Sequence, residues 1–376
     1  MKDDFMRVTV SIVTIVVLGL TNLQVSGQDQ DSTAFKKVEE ETSSNPVLRR
    51  FKVEELKEFR RHYQEEIEQL VAKKDSLRKK AIQDLENLLA NHPETPSLDK
   101  ILLRLAELHY EQAVQNYAQA LDDESSCCGG DSLEAAGLTA ESFPEPEKDF
   151  TRPLQLFERL IQEVPNSPLI ADALYNKGFV LEELGRTEEA FETYLQLADN
   201  YPESEYVADA LMRMAEYHFN PPNRDMEKSI ALYQRVLNYK GSPLYDAALY
   251  RLGWANYTSS NYPEAIAYFT LLADDIDRIK PLDPERKYHF PAVQDEAIEY
   301  IGISFLDFGG ADYASKYFEE IGGRYYGLNV LKKIGDSQLE VLEEHDKAIS
   351  AYEHLLEAYP EYAQAPDIQA KIADAY

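Results

Sequence analysis

The side chains best equipped for chemistry are few, and their spacing is unhelpful to it. The two cysteines, Cys127 and Cys128, adjoin each other in "DDESSCCGGDS". Neighbouring cysteines rarely bridge, because the small ring they close strains the peptide between them. No second CxxC and no nearby histidine completes a zinc site, so the pair reads as part of an exposed loop. The seven histidines are scattered; His289, the one that stands among carboxylates, reads as a surface residue. Carboxylate pairs such as Asp274 and Asp275 abound in a chain with 68 acidic residues, so they are no evidence of acid–base catalysis. The patterns HExxH, GxGxxG, GxSxG and GxxxxGKS/T are all missing, which leaves metal-assisted, nucleotide-dependent and serine-nucleophile chemistry without sequence support. The sequence predicts a protein that is not an enzyme, with no cofactor and no metal site.

A chain without catalytic groups acts through its surface, and here the surface follows from a repeat. "SPLIADALYNKG" (167–178), "SEYVADALMRMA" (204–215) and "SPLYDAALYRLG" (242–253) recur at intervals of 37 and 38. Aligned, they put Gly178, Ala215 and Gly253 at one position, and the alignment extends to Ala106, Gly302 and Gly335. Glycine inside a helix costs about 1 kcal/mol relative to alanine, so recurrent small residues there need a packing reason. A second small position follows at Ala190, Ser229, Ala265, Ala314 and Ala348. Four residues on stand Tyr194, Tyr233, Phe269, Phe318 and Tyr352, and three further Leu197, Val236, Leu272, Ile321 and Leu355. Steps of four and three keep these on one helix face. Pro93, Pro165, Pro202 and Pro360 then close the second helix, which proline cannot continue. Ser167 before Pro168 and Ser242 before Pro243 read as N-caps followed by proline at the first helical position.

This succession resembles the tetratricopeptide repeat (TPR), and the resemblance covers residues 75 to 376. The usual period is near 34; the longer link here, "YPESEYVADALMRMA", is similar to the bacterial envelope branch, that of the outer-membrane assembly lipoprotein and the Tol-Pal coordinating protein. The resemblance implies an all-α, TPR-like solenoid of about six helical hairpins wound as a right-handed superhelix. It further implies a concave groove lined by the first helix of each hairpin, at positions three before, one after and four after the small residue. Carried over, these are Tyr175, Phe179 and Glu182; Met212, Glu216 and Phe219; Tyr250, Trp254 and Tyr257. Such a groove is aromatic with an acidic margin and suits an extended or helical protein segment bearing apolar and basic side chains. Rigid aromatics are favoured binding anchors, although the same positions also fill space between adjacent hairpins. The lysine and asparagine clamp that holds a terminal carboxylate in some members has no counterpart, because Tyr175, Phe179 and Tyr250 occupy its place.

The flanks and the charge set the context. Lys2 and Arg7 precede an apolar run from Val8 to Leu20, with small residues at Ser26 and Gly27. That run is shorter than the roughly 20 residues a membrane span needs, so residues 1–27 read as a signal peptide and the mature chain as periplasmic, the alternative being an uncleaved anchor. Residues 28–47 read as a disordered linker. Residues 48–96, free of glycine and of proline up to Ala90, read as one long helix or a hairpin capping the array. Tyr63, Ile67, Leu70, Leu77, Ala81 and Leu88 form a heptad, interrupted by Lys74 and Asp84, through which the chain could oligomerise. The array then runs over 97–376, with insertions near 122–148 and 274–291, and breaks off inside a helix, as a fragment would. The expected function is a non-catalytic periplasmic scaffold in envelope assembly or maintenance; the alternative is the helical arm of a larger envelope enzyme whose catalytic module lies past Tyr376. A net charge of −30 repels nucleic acid and steers basic partners within about 10 Å at 0.1 M salt.

Overall fold

The computed structural model describes residues 53–127, 147–283 and 293–376, with side chains described over 60–121, 147–283 and 293–376. The signal segment, the polar linker, His289 and the cysteine side chains lie outside the described residues. Among the described residues there are fourteen helices and no strand. The chain divides into two units, Met1–Lys74 and Asp75–Tyr376. Helix α1, Val53–Asn91, is a single helix rather than a hairpin. In the first unit its residues Tyr63, Ile67 and Leu70 are exposed. In the second unit Ile82, Leu85 and Leu89 pack on the core, and Arg78 is buried, donating to Glu111 at 3.2 Å. Leu77 and Leu88 are exposed there. The heptad is therefore not the stripe that meets the array. A second stripe at steps of four and three, from Arg78 to Leu89, does so.

The rest of the second unit is a succession of hairpins. They are α2 (Leu98–Cys127) with α3 (Thr151–Glu163), α4 (Ile170–Glu183) with α5 (Thr187–Asn200), α6 (Val207–Phe219) with α7 (Met226–Val236), and α8 (Tyr245–Thr258) with α9 (Tyr262–Ile279). These are followed by α10 (Val293–Asp307) with α11 (Gly310–Glu320), α12 (Gly327–Glu340) with α13 (His345–Ala358), and a last helix, α14 (Ala365–Ala375). The result is an all-α solenoid of six hairpins and one further first helix. Its apolar core runs from Leu102 to Leu252 and, from Leu249, on to Ile368.

The second helix of each hairpin owes its place to the three-residue pattern read in the sequence. Ala190, Tyr194 and Leu197 are fully buried, as are Ser229, Tyr233 and Val236, Ala265, Phe269 and Leu272, and Ala348, Tyr352 and Leu355. Burying each large side chain contributes about 1.5–3 kcal/mol. Between paired helices, Gly185 (φ 70°) and Gly309 (φ 83°) supply the left-handed conformation that ends the first helix.

Two local expectations are corrected. Ser167 and Ser242 are not N-caps of the regular helices, which begin at Ile170 and Tyr245. Each hydroxyl instead accepts from the backbone N–H two residues on, at 3.1 Å, and closes the lead-in turn; Ser167 also donates to Asp99 at 2.6 Å. The segments read as insertions begin as helix: α2 continues to Cys127 and α9 to Ile279.

Candidate protein-binding groove

The first helices meet side by side, and what joins them is a recurring set of polar and aromatic contacts. At the α4/α6 junction Tyr194 Oη donates to Glu182 at 3.0 Å, and Arg213 donates to the same carboxylate at 3.4 Å and to Asp209 at 2.9 Å. The Arg213 guanidinium lies 4.6 Å from the centroid of the Phe179 ring. At α6/α8 Tyr233 Oη donates to Glu216 at 2.8 Å, Arg251 pairs with Glu216 at 2.7 Å, and its guanidinium lies over Phe219 at 5.4 Å. At α12/α14 Tyr352 Oη donates to Asp336 at 2.8 Å, and Lys371 donates to Asp336 at 2.7 Å while lying over the Tyr352 ring. One rule covers all three. The buried tyrosine of a second helix donates a hydrogen bond to a carboxylate on its own first helix. A cation two residues before the next small residue then neutralises that carboxylate.

The acid is free to sit on either of two turns. Phe179 and Glu182 follow Gly178 by one and four residues, whereas Glu216 and Phe219 follow Ala215 by one and four. The two side chains have exchanged places and keep the same partners.

Where the second helix carries phenylalanine, no carboxylate is needed. Phe269 meets Tyr250 of α8, ring centroids 6.2 Å apart, Trp254 and Tyr257 hold the places one and four residues after Gly253, and the place of the cation is taken by Tyr300. The Trp254 and Tyr300 rings are 4.3 Å apart, Trp254 and Tyr257 6.1 Å, and Tyr300 stacks on Phe269 at 5.7 Å. Tyr250 Oη donates to Glu296 at 2.7 Å and Tyr257 Oη to Asp307 at 3.3 Å.

The nine residues expected to line a groove thus lie on three successive first helices, and all except the buried Met212 are partly exposed. Tyr175 stacks on Tyr206 at 4.8 Å and donates to Asp209. Burial, and then the Asp209 carboxylate, push the Tyr175 phenol well above the ordinary tyrosine range. Burial and Glu182 do the same to Tyr194. Glu182, Met212 and Glu216 come together with Arg213, Tyr217 and Pro221 around an open cleft of about 410 Å³. A second cleft, about 290 Å³, lies between α10 and α12 against Glu299, Lys332 and Lys333, so the same face continues past the residues that the sequence reading named. Sequence reading missed Arg213, Arg251, Lys371 and Tyr300, although their shared position two before the small residue was visible in the alignment. Among the described residues no group of three histidines, cysteines or carboxylates is arranged to hold a metal ion, and no helix is long and apolar enough to cross a membrane.

The hairpins match known repeats. Two family models, each described as tetratricopeptide repeat, match residues 172–204 and 331–362, and residues 223–284. The chain carries tetratricopeptide repeats. A TPR array of this kind is a protein–protein interaction scaffold, and the family is generally non-catalytic. Among solved structures, a TPR protein from Parabacteroides merdae is 14% identical, with 83% of this chain and 98% of that chain covered and a TM-score of 0.35. The C-terminal part of a TPR repeat-containing protein from Cytophaga hutchinsonii is 15% identical, covering 80% of this chain and 97% of that chain at a TM-score of 0.37. Yeast Tom70 is 12% identical, covering 80% and 58% at 0.28. No curated protein matches the chain.

Proposed function

We propose that the TPR array is a periplasmic scaffold that holds a segment of an envelope protein along the face formed by α4, α6, α8 and α10, in envelope assembly or maintenance. The observation that supports this best is the cleft of about 410 Å³, because Glu182, Met212 and Glu216, three of the nine positions assigned to the groove by resemblance, line it. The adjoining row Tyr250, Trp254 and Tyr257 extends it with ring surface that is only partly buried, the kind of rigid anchor that interfaces favour. The acidic margin selects basic segments through on-rate and specificity. The amino-terminal sequence supports export, and a fractionation that leaves the native protein in the cytoplasm would remove the periplasmic part of the reading.

The test is crosslinking in the native envelope, comparing the wild type with Tyr250→Ala plus Trp254→Ala after circular dichroism has shown that both fold. The expected result is one envelope protein captured by the wild type and lost with the variant. Unchanged capture overturns the groove. Trp254→Leu, which keeps apolar bulk, serves as a second variant if the double substitution does not fold. The exposed Tyr63, Ile67 and Leu70 favour a separate reading, self-association through α1, which light scattering of the intact chain with these three residues changed to glutamate would test.

A further inference from the structure

Five first helices carry a cation two residues before their small residue: Arg104, Arg213, Arg251, Lys333 and Lys371. Each is paired within the array, Arg104 with Glu107, Arg213 with Asp209 and Glu182, Arg251 with Glu216, Lys333 with Glu299, and Lys371 with Asp336. At the α8/α10 junction that place belongs to Tyr300, and the surroundings have not changed to match. Six residues before Ala215 stands Asp209, which accepts from Tyr175 and also pairs with Arg213 at 2.9 Å. Six residues before Gly302 stands Glu296, which accepts from Tyr250 at 2.7 Å and, among the described residues, pairs with no cation. Asp307, at the far end of the same face of α10, accepts from Tyr257 at 3.3 Å and likewise has no described cation. The rings of Trp254, Tyr257 and Tyr300 meet one another edge-on or tilted in a single cluster beside these two carboxylates.

We propose that this junction receives an arginine side chain from the bound segment. The proposal rests on the groove reading above and names the chemistry that the groove selects. At α4/α6 the array sets its own guanidinium over an aromatic ring and against two carboxylates; at α8/α10 it presents the rings and Glu296, the counterpart of Asp209, with Asp307 about three turns further along α10, and leaves the guanidinium to the partner. Arginine suits the place better than lysine, because a planar guanidinium stacks on a ring face while its edge donates to a carboxylate.

Trp254 is the single tryptophan of the chain, so its fluorescence reports on this junction directly. The full chain is titrated with the peptide Ac-Leu-Arg-Leu-NH2 and with its citrulline counterpart, which keeps the shape and removes the charge. A saturable change with the arginine peptide is expected, with affinity for the citrulline peptide lower by about tenfold, the scale of one partly desolvated cation–π contact with an ion pair. Glu296→Gln with Asp307→Asn is expected to weaken the arginine peptide by a similar factor. Tyr300→Arg, which supplies the cation from the array itself, is expected to abolish the response. Equal affinity for the two peptides, or an affinity unmoved by both sets of substitutions, overturns the arginine site. Crosslinking reads the natural partner and the titration reads the junction, so capture that survives Tyr300→Arg removes this proposal and leaves the groove standing, while absent capture with an intact titration does the reverse.

Discussion

Gly178 lies so close beneath the ring of Tyr194 that a Cβ on the glycine would stand 2.7 Å from ring carbon Cδ1. The same holds for Gly253 under Phe269, at 2.6 Å, and for Gly335 under Tyr352, at 2.8 Å. Three hairpins therefore close on a missing methyl group.

Alanine at these positions sets two effects against each other. Helix propensity favours it by about 1 kcal/mol, and overpacking against a fully buried ring costs about 1–3 kcal/mol. Gly178→Ala, Gly253→Ala and Gly335→Ala are expected to destabilise by up to about 2 kcal/mol once the propensity gain is subtracted. Gly302→Ala meets Lys333 Cγ and Cβ at 3.1 and 3.2 Å and the Val330 carbonyl oxygen at 3.5 Å, contacts that a small shift relieves, and is expected to cost less than the other three. Thermal melts of the four variants decide it; a raised midpoint for Gly178→Ala would remove the steric account.

The pairing of tyrosine with an acid predicts an asymmetry between two substitutions that differ by one oxygen. Phe269→Tyr places a hydroxyl in a fully buried position whose own first helix carries Trp254 and Tyr257, and no carboxylate, one and four residues after Gly253, at a cost of about 1–3 kcal/mol for an unsatisfied buried group. Tyr233→Phe removes a hydroxyl but leaves Glu216 paired with Arg251, at a cost nearer 1 kcal/mol. Denaturant unfolding of both variants is the check. A larger loss for Tyr233→Phe than for Phe269→Tyr would contradict the pairing rule.

Acid should weaken the carboxy-terminal hairpin. Burial alone would raise the Asp336 carboxyl, but the hydrogen bonds it accepts from Lys332, Lys371 and Tyr352 outweigh burial and hold it below the usual carboxylate range. A depressed folded value means that the contribution is complete above the unfolded pKa, about 4, and fades as pH falls through the folded one. Hydrogen exchange of α12–α14 between pH 6 and pH 3 should show protection declining in the wild type, whereas Asp336→Asn should start lower and depend less on pH. Parallel curves for the two proteins would place the acid lability elsewhere.

The repeat was legible because each hairpin writes its core in one short code. The small residue of the first helix and the small, aromatic and aliphatic residues of the second follow from sequence spacing, and the burial of Ala190, Tyr194 and Leu197 agrees. Helix lengths were less legible. "DDESSC" looked like loop because its residues are polar, yet propensity differences among them are only a few tenths of a kcal/mol per residue, too little to stop α2 before Cys127. The stripe by which α1 meets the array went unread for a different reason: two apolar stripes share that helix, and only the facing surface decides which one is covered. The junction cations were missed because the family pattern describes apolar spacing, whereas Arg213 and Lys371 do their work through charges on the neighbouring hairpin.

The exchange of Phe179 and Glu182 for Glu216 and Phe219 bears on how such arrays are inherited. A tyrosine hydroxyl and a guanidinium one hairpin away can be met from either of two turns, so acid and ring can trade places without breaking a bond. Two descendants of one ancestral array could differ at both sites and still be wired alike. A residue-by-residue alignment would score two losses where the molecule has suffered none.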